Sequence, residues 1–202
     1  MARLLLVRHT AVSARYAGRC YGRTDAALGA AGLGEARTVA AAVAGEGFDA
    51  VFSSPSRRAR LLALRIGAAL GRPVRVEPRL AERHFGDWEG RAWDGIWAAE
   101  GAAMDGMIDA PDDYRPGGGK TTGELAARVL AWFDGLAPGA ALVAATHGGP
   151  IAALAGSLLG EPPRRWLRHV PAPGCGLRLE ADSPGWRVAP WRPVAATGGA
   201  RG

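Results

Sequence analysis

Three short runs of apolar residues divide the chain, at Leu4–Val7, Ala50–Phe52 and Ala141–Ala145. Each run is continuously apolar and does not alternate with polar residues, which is typical of strands buried on both faces of a parallel sheet. Weaker apolar runs predict three further strands, at Val74–Val76, Leu177–Leu179 and Trp186–Val188. The pattern therefore predicts a mostly parallel central sheet.

Four segments between these runs carry apolar residues at helical spacing, within residues 33–43, 59–70, 125–136 and 151–159. Pro138 and Gly139 are predicted to end the third of these helices. Strands that alternate with helices form α/β domains in which helices cover both faces of the sheet. We therefore predict an α/β fold, a three-layer sandwich with helices on both faces, in a single domain over residues 1–193.

One segment, residues 85–116, breaks this alternation. It contains Trp88, Trp93 and Trp97 together with scattered Gly and Asp residues, and it is long for a simple connection. We predict an excursion with some helix over one end of the sheet, and the sequence leaves open whether its role is ordinary packing or that of a substrate lid. Residues 194–202 are rich in Gly and Ala, so we expect a disordered tail there.

The composition indicates a globular protein without a membrane-spanning segment. Apolar residues make up 48% of the 202 residues and charged residues 22%, close to the average of globular domains. No apolar stretch approaches the roughly 20 residues that span a bilayer, and the run at Leu4–Val7 is too short for a signal peptide. We therefore expect a cytoplasmic protein with no membrane partner, in which Cys20 and Cys175 are free thiols.

The formal net charge of +6, from 25 basic and 19 acidic residues, favours an anionic partner. All the basic residues except Lys120 are arginines, and they are spread along the chain without a basic tract that has interleaved aromatic residues. Such a diffuse excess is weak support for nucleic-acid binding. We therefore predict a small anionic metabolite as partner, and no nucleic acid. The sequence does not distinguish a monomer from a homodimer.

Polar residues that can do chemistry follow each of the three strong strands. Arg8 and His9 follow the first, Arg57 and Arg58 the second, and His147 the third. Because ligands bind at the carboxyl ends of strands in open α/β sheets, we expect these side chains to meet. A planar guanidinium matches the oxygens of a phosphoryl group, and a neutral imidazole can attack phosphorus. The pattern therefore predicts a phosphoryl site.

The sequence does not contain the motifs of two other kinds of phosphate-binding site. The stretch GGGKTT lacks the first glycine of a P-loop, because Tyr114 stands at that position. The four histidines, at positions 9, 84, 147 and 169, do not have the spacing of metal ligands. We therefore predict neither a P-loop nor a metal site.

Six stretches resemble, in order, the motifs of the histidine phosphatase superfamily, which is also called the phosphoglycerate mutase-like family. They are LLLVRHT at 4–10, GRCYGRTDAAL at 18–28, SSPSRRA at 53–59, LAERHFGDWEG at 80–90, GGGKTTGELAARV at 117–129 and ATHGGPI at 145–151. The resemblance covers nearly the whole predicted domain, and it implies a phosphoglycerate mutase-like fold.

The resemblance also implies roles for single residues. His9 would be the nucleophile, while Arg8, Arg58 and His147 would bind the phosphoryl oxygens and stabilise the transition state. Glu82 would protonate the leaving oxygen and then activate water. The implied substrate- and phosphate-binding residues are Arg8, Thr10, Arg15, Tyr21, Gly22, Arg58, His147 and Gly148.

Two of these assignments depend on finer comparisons with the motifs. Arg58 is preferred to Arg57 because it stands three residues after Pro55 and directly before Ala59. Many members of the family have Asn at the position of Arg15, so the phosphate contact at this position differs from theirs.

The activity that the resemblance implies is a metal-independent phosphomonoester hydrolase that works through phosphohistidine and needs no cofactor. The combination of Arg-His-Thr with the stretch around Cys20 and Tyr21 is most similar to the α-ribazole phosphatases of cobalamin biosynthesis. Trp88, Trp93 and Trp97 are then candidates for packing on the base. The alternatives are a phosphoglycerate mutase-type phosphotransferase, for which the chain is short, and a catalytically weak pseudo-phosphatase that binds an anion or a protein partner.

Overall fold

The computed structural model of the chain describes residues 3–182 and 185–193, so the predicted tail at 194–202 lies outside the described residues. Its six strands form one sheet in the order β3-β2-β4-β1-β5-β6. The strands are β1 Arg3–Arg8, β2 Ala50–Ser53, β3 Val74–Val76, β4 Ala141–Thr146, β5 Gly176–Asp182 and β6 Gly185–Trp191. The first four pair in parallel, and β5 and β6 are antiparallel to their neighbours. All six predicted strands and the mostly parallel sheet are confirmed.

Six α-helices are found among the described residues. They are α1 Ala30–Ala44, α2 Arg57–Leu70, α3 Trp93–Glu100, α4 Gly106–Asp109, α5 Thr122–Phe133 and α6 Gly148–Leu158. The four helices predicted from apolar spacing are confirmed as α1, α2, α5 and α6. The prediction that α5 continues past Leu136 and is ended by Pro138 and Gly139 is wrong. The chain leaves the helix after Phe133, in a turn in which the Leu136 N–H donates to the Phe133 carbonyl.

Successive side chains of β1 point into two hydrophobic clusters, one on each face of the sheet. Leu4 and Leu6 pack in a cluster with α5 and α6, whereas Leu5 and Val7 pack in a cluster with α1 and α2. All four side chains are 3% exposed or less. Burial on both faces explains why the run is continuously apolar, and it confirms the three-layer sandwich.

Residues 85–116 contain α3, α4 and short 3-10 turns, in agreement with the predicted excursion. Their interior is a third hydrophobic cluster in which Trp88 and Ile96 are buried together with Cys20 of another loop. This packing is that of an ordered substructure. A movement of the segment as a lid stays a prediction.

Two further predictions concern the cysteines and the membrane-spanning segments. Cys20 is buried and Cys175 is half-buried, and both are free thiols. Among the residues that the structure describes, no helix combines the length and the apolar character needed to cross a bilayer.

The packing of α2 predicts which of its leucines hold the fold together. Leu62 is 0% exposed in the cluster of α1 and α2, whereas Leu64 on the same helix is 53% exposed. Leu62→Ala should therefore lower the free energy of unfolding by about 2–5 kcal/mol, and the matched control Leu64→Ala by less than about 0.5 kcal/mol. Urea unfolding measures both, and equal losses would contradict this account of the core.

Candidate active site

The three central strands end level with one another, and this brings their polar residues together. Arg8 at the end of β1 pairs in register with Thr146 at the end of β4, and Ser53 of β2 pairs with Ala145. The backbone N–H of His9 donates to the Thr146 carbonyl at 2.9 Å. The imidazoles of His9 and His147 consequently lie with their ring centroids 5.2 Å apart.

His9 is placed as a neutral imidazole with one free nitrogen. Its side chain is buried, and Nδ1 lies 2.8 Å from the carbonyl oxygen of Thr10. A carbonyl only accepts hydrogen bonds, so we infer that Nδ1 carries the proton and that Nε2 keeps a lone pair. Burial first, then the charges of Arg58 and Arg8, lower the pKa of His9 to about 3, although the bond to Thr10 acts in the opposite direction.

His147 is completely buried beside His9. Its Nε2 lies 2.7 Å from the Ser54 hydroxyl, and Nδ1 has no hydrogen-bond partner among the described residues. Burial, followed by the positive charge of Arg58, lowers the pKa of His147 well below its ordinary value. Both imidazoles are therefore neutral in the folded protein at pH 7.

The two neighbouring arginines at the start of α2 have opposite environments. Arg57 is exposed, whereas Arg58 is 0% exposed, with Nη1 donating to the carbonyl of Thr24 at 2.8 Å and Nη2 to that of Gly22 at 2.6 Å. The placement agrees with the choice of Arg58 as the site residue. Burial lowers the pKa of Arg58, partly offset by the charge of Glu82.

Three buried polar atoms of this centre have no partner among the described residues. They are Nε of Arg8, Nε of Arg58 and Nδ1 of His147. An unpaired buried donor costs about 1–3 kcal/mol. A bound anion with several acceptor oxygens would accept hydrogen bonds from these atoms and so remove this cost.

Glu82 reaches this centre from the loop that follows β3. Its Oε1 accepts from the backbone N–H of Arg83 at 2.8 Å, and its Oε2 from that of Gly149 at 3.3 Å. Gly149 is in the first turn of α6, two residues after His147. The carboxyl group of Glu82 therefore lies at the N-terminus of α6, close to His147.

A cavity of about 480 Å³ opens beside His9. Of the predicted site residues, those that line it are Arg8, His9, Tyr21, Gly22, Glu82 and Gly148. Its remaining lining is mostly apolar and includes an aromatic wall, which we define as Phe85, Trp93, Trp97 and Trp166. The structure thus joins a cationic, histidine-containing end to an apolar chamber.

The other predicted residues lie elsewhere. Arg58 and His147 are buried next to His9, and the Thr10 hydroxyl donates to the Gly32 carbonyl at 2.8 Å. Arg15 does not join the site, since it is exposed and its guanidinium donates to the Tyr16 hydroxyl. Trp88 does not line the cavity, because it packs in the third hydrophobic cluster.

Two residues that hold the site in place, Ser54 and Glu89, have no role predicted from the sequence. Ser54 contacts His147, and it stands directly after β2 within the quoted SSPSRRA stretch. Glu89 binds the backbone N–H groups of Arg23, Thr24 and Phe85, which joins the loop at 18–28 to residues 85–90. Only their positions inside the quoted motifs could have drawn attention to them.

Within the described part of the chain, no group of three or more His, Cys, Asp or Glu side chains is arranged to hold a metal ion.

Comparison with known sequences gives a family and several relatives. The family model for the histidine phosphatase superfamily (branch 1) matches residues 4–193. Glucosyl-3-phosphoglycerate phosphatase of Mycobacterium tuberculosis is 34% identical over 182 residues, covering 81% of this chain and 78% of the relative. A probable phosphoglycerate mutase of Serratia proteamaculans is 30% identical over 195 residues, covering 95% and 90%. The metal-independent phosphoserine phosphatase of Arabidopsis thaliana is 31% identical over 185 residues, covering 89% and 73%.

Comparison with solved structures gives the same fold. Native mycobacterial glucosyl-3-phosphoglycerate phosphatase superimposes with a TM-score of 0.82 at 28% identity, covering 95% of this chain and 99% of that one. A putative α-ribazole-5′-phosphate phosphatase of Escherichia coli also gives a TM-score of 0.82, with coverage of 95% and 96%. Its identity is 23%, so that likeness concerns the fold alone.

Neutral buried histidines make stability depend on pH. An unfolded histidine binds its proton near pH 6.5, whereas His9 does so only near pH 3. Between these values the unfolded chain binds more protons, so stability falls as the pH decreases through this window. His9 contributes a slope of up to about 1.4 kcal/mol per pH unit.

His9→Asn should therefore flatten the decline in unfolding free energy between pH 6 and 4. Urea unfolding at a series of pH values measures the slope for both proteins, and the carboxylates that titrate in this range are common to them. Equal slopes would mean that His9 is protonated in the folded protein.

Proposed function

The chain belongs to the histidine phosphatase superfamily (branch 1), and on this premise we propose that it hydrolyses phosphomonoesters through a phosphohistidine formed on His9. The observation that carries the proposal is the state of the His9 imidazole. It is neutral and its Nδ1 is occupied by the Thr10 carbonyl, so the Nε2 lone pair is available to attack.

In the first step, Nε2 of His9 forms a bond to phosphorus, and the bond from phosphorus to the ester oxygen breaks. The departing oxygen takes a proton from Glu82, whose carboxyl group lines the same cavity. In the second step, water attacks the phosphohistidine, its proton passes to Glu82, and inorganic phosphate leaves. His9 and Glu82 are then restored, so protons and phosphoryl groups balance over the cycle.

Positive charge from the protein is proposed to take the place of a metal ion in this reaction. Within the described part of the chain, the Nε donors of Arg8 and Arg58 and the Nδ1 of His147 have no hydrogen-bond partner. These atoms would bind the phosphoryl oxygens, whose negative charge develops further in the transition state. Their positions are fixed before substrate arrives, which lowers the reorganisation needed during the reaction.

Two classes of alcohol are candidates for the rest of the substrate. Trp93 and Trp97 line the cavity and favour a flat aromatic group, such as the base of α-ribazole 5′-phosphate. The names of the relatives favour phosphorylated acids, since they include a glucosyl-phosphoglycerate, a phosphoglycerate and a phosphoserine enzyme. The relatives also include a probable mutase, so transfer of the phosphoryl group to a second hydroxyl is the alternative to hydrolysis.

The nucleophile is tested by His9→Ala. We expect phosphate release from p-nitrophenyl phosphate, 3-phosphoglycerate and α-ribazole 5′-phosphate to fall to the background rate, with a chelator present in every assay. Wild-type protein mixed with ³²P-labelled ester and quenched in alkali should carry label, and the variant should carry none.

The control for this experiment is His84→Ala, because His84 is exposed and does not line the cavity. It should keep wild-type turnover and labelling. Retained turnover in His9→Ala would overturn the assignment of the nucleophile, and loss of wild-type turnover in the chelator would overturn metal independence. Formation of 2-phosphoglycerate in place of phosphate would establish the mutase.

The role of Glu82 is tested with leaving groups of different basicity. Glu82→Gln should slow hydrolysis of glycerol phosphate by about 10²–10⁴, because an alkoxide needs a proton to depart. Nitrophenolate departs without one, so p-nitrophenyl phosphate should be slowed much less in a single-turnover measurement of the first step. Asp105→Asn, which removes another carboxylate from the cavity lining, should change neither rate greatly. Equal slowing of both esters by Glu82→Gln would exclude Glu82 as the acid.

A further inference from the structure

The segment that carries Glu82 has little regular structure of its own. After β3 it forms one 3-10 turn at Pro78–Leu80, and residues 81–85 continue without helix or strand. The carboxyl group of Glu82 nevertheless lies tightly against α6, because a Cβ atom at Gly149 would collide with its Oε1. Contacts from outside the segment must therefore fix the position of this carboxyl group.

Side chains of two other elements bind the backbone of this segment. The carbonyl groups of five successive residues, 78–82, accept hydrogen bonds from side chains. The Leu80 carbonyl accepts from the Thr146 hydroxyl of β4 at 2.7 Å. The two Nη atoms of Arg128, on α5, donate to the other four carbonyls, those of Pro78, Arg79, Ala81 and Glu82, at 3.3, 2.7, 2.8 and 3.4 Å. One guanidinium thus binds the whole turn up to the residue that carries the acid.

Charge pairing does not account for Arg128. Among the described residues it forms no salt bridge. Burial, followed by the charge of Arg23, lowers the pKa of Arg128 to about 10, with the charge of Glu82 acting in the opposite direction, so the guanidinium is still protonated at pH 7. Keeping a cation out of water without a salt bridge is costly, and the carbonyl contacts are what offsets this cost.

We propose that Arg128 is the positioning residue of the acid Glu82, and that its four contacts hold residues 78–82 so that the carboxyl group reaches the leaving oxygen. The proposal rests on the proposed function. Arg128 does not line the cavity, so it acts through the backbone of the segment and not on the substrate. A displacement of a reacting group by about 1 Å can slow catalysis about 10²-fold. Loss of the guanidinium would free four of the five bound carbonyls and permit such a displacement.

The test uses leaving groups that differ in their need for a proton. In single-turnover measurements of the first step, Arg128→Gln should slow glycerol phosphate about 10- to 100-fold, because its alkoxide depends on the acid. p-Nitrophenyl phosphate, whose leaving group needs no proton, should slow by less than about threefold, and the affinity for inorganic phosphate should change as little. Arg128→Lys keeps the charge and loses the planar fork, so it should restore only part of the rate with glycerol phosphate.

A double variant separates positioning from a general loss of structure. If Arg128 acts through Glu82, adding Arg128→Gln to Glu82→Gln should slow glycerol phosphate no further. The matched control is Arg79→Gln, because Arg79 also joins this turn to α5, with Nη1 donating to the Ala131 carbonyl at 2.9 Å, but its guanidinium does not bind the carbonyls of residues 78–82. It should keep both rates.

Hydrogen–deuterium exchange gives a readout that does not need turnover. The backbone N–H groups of Leu80, Ala81 and Arg83 are bonded within residues 77–83, and Arg128→Gln should speed their exchange while the strands of the sheet keep theirs.

Unchanged exchange in residues 77–83 would overturn the proposal, and so would equal slowing of both esters or further slowing in the double variant. Faster exchange throughout the chain together with equal slowing would show that Arg128 only stabilises the fold. A wild-type protein that releases no phosphate would refute the proposed function, while the exchange measurement still decides whether Arg128 fixes the segment that carries Glu82.

Discussion

The burial of the Arg58 guanidinium is the constraint on which the rest of the site depends. Its Nη atoms donate to the carbonyls of Gly22 and Thr24, so the first turn of α2 fixes the loop at 18–28. Carbonyl oxygens carry only partial charge, and the positive charge of Arg58 is therefore not cancelled. Burial and then this charge lower the pKa values of His9 and His147, which keeps both imidazoles neutral beside a cation. A neutral His9 next to uncancelled positive charge can act as a nucleophile toward an anion.

The carboxylates of the site also take their hydrogen bonds mainly from the backbone. Glu82 accepts from backbone N–H groups of Arg83 and Gly149. Glu89 accepts from backbone N–H groups and a hydroxyl, and these contacts lower its pKa although burial acts to raise it. The site acids are thus held by backbone donors and the site arginines by backbone acceptors, and among the described residues no salt bridge joins Glu82 or Glu89 to an arginine. In the proposed mechanism, the positive charge is then available for the substrate and Glu82 for proton transfer.

The parts of this arrangement that local sequence determines were predictable, and those that depend on tertiary packing were not. Continuous apolar runs identified the central strands, and the polar residues after them identified Arg8, His9 and His147, because parallel strands end at one edge. The loop residues behaved differently. Arg15 and Trp88 stand in or beside family motifs, yet one faces solvent and the other packs in a hydrophobic cluster. Nothing in the local pattern distinguishes a tryptophan that lines a cavity from one that fills a core, since both follow from how residues 85–116 fold back.

The cavity combines charged side chains with an apolar lining, and this combination affects how strongly the charges act. The rings of Phe85 and Trp93 offer no strong hydrogen bonds and exclude water, so charges beside them are weakly screened. The same low polarity strengthens the attraction between Arg8, Arg58 and the phosphoryl group. A ligand with apolar groups alone would gain contact with Trp93 and Trp97 but would leave the Nε donors of Arg8 and Arg58 without a partner. Sites built around polar groups discriminate strongly against analogues that lack the counterpart. The apolar lining would therefore increase the selectivity of these arginines for an anionic ligand, and aromatic residues in the cavity need not indicate an aromatic substrate.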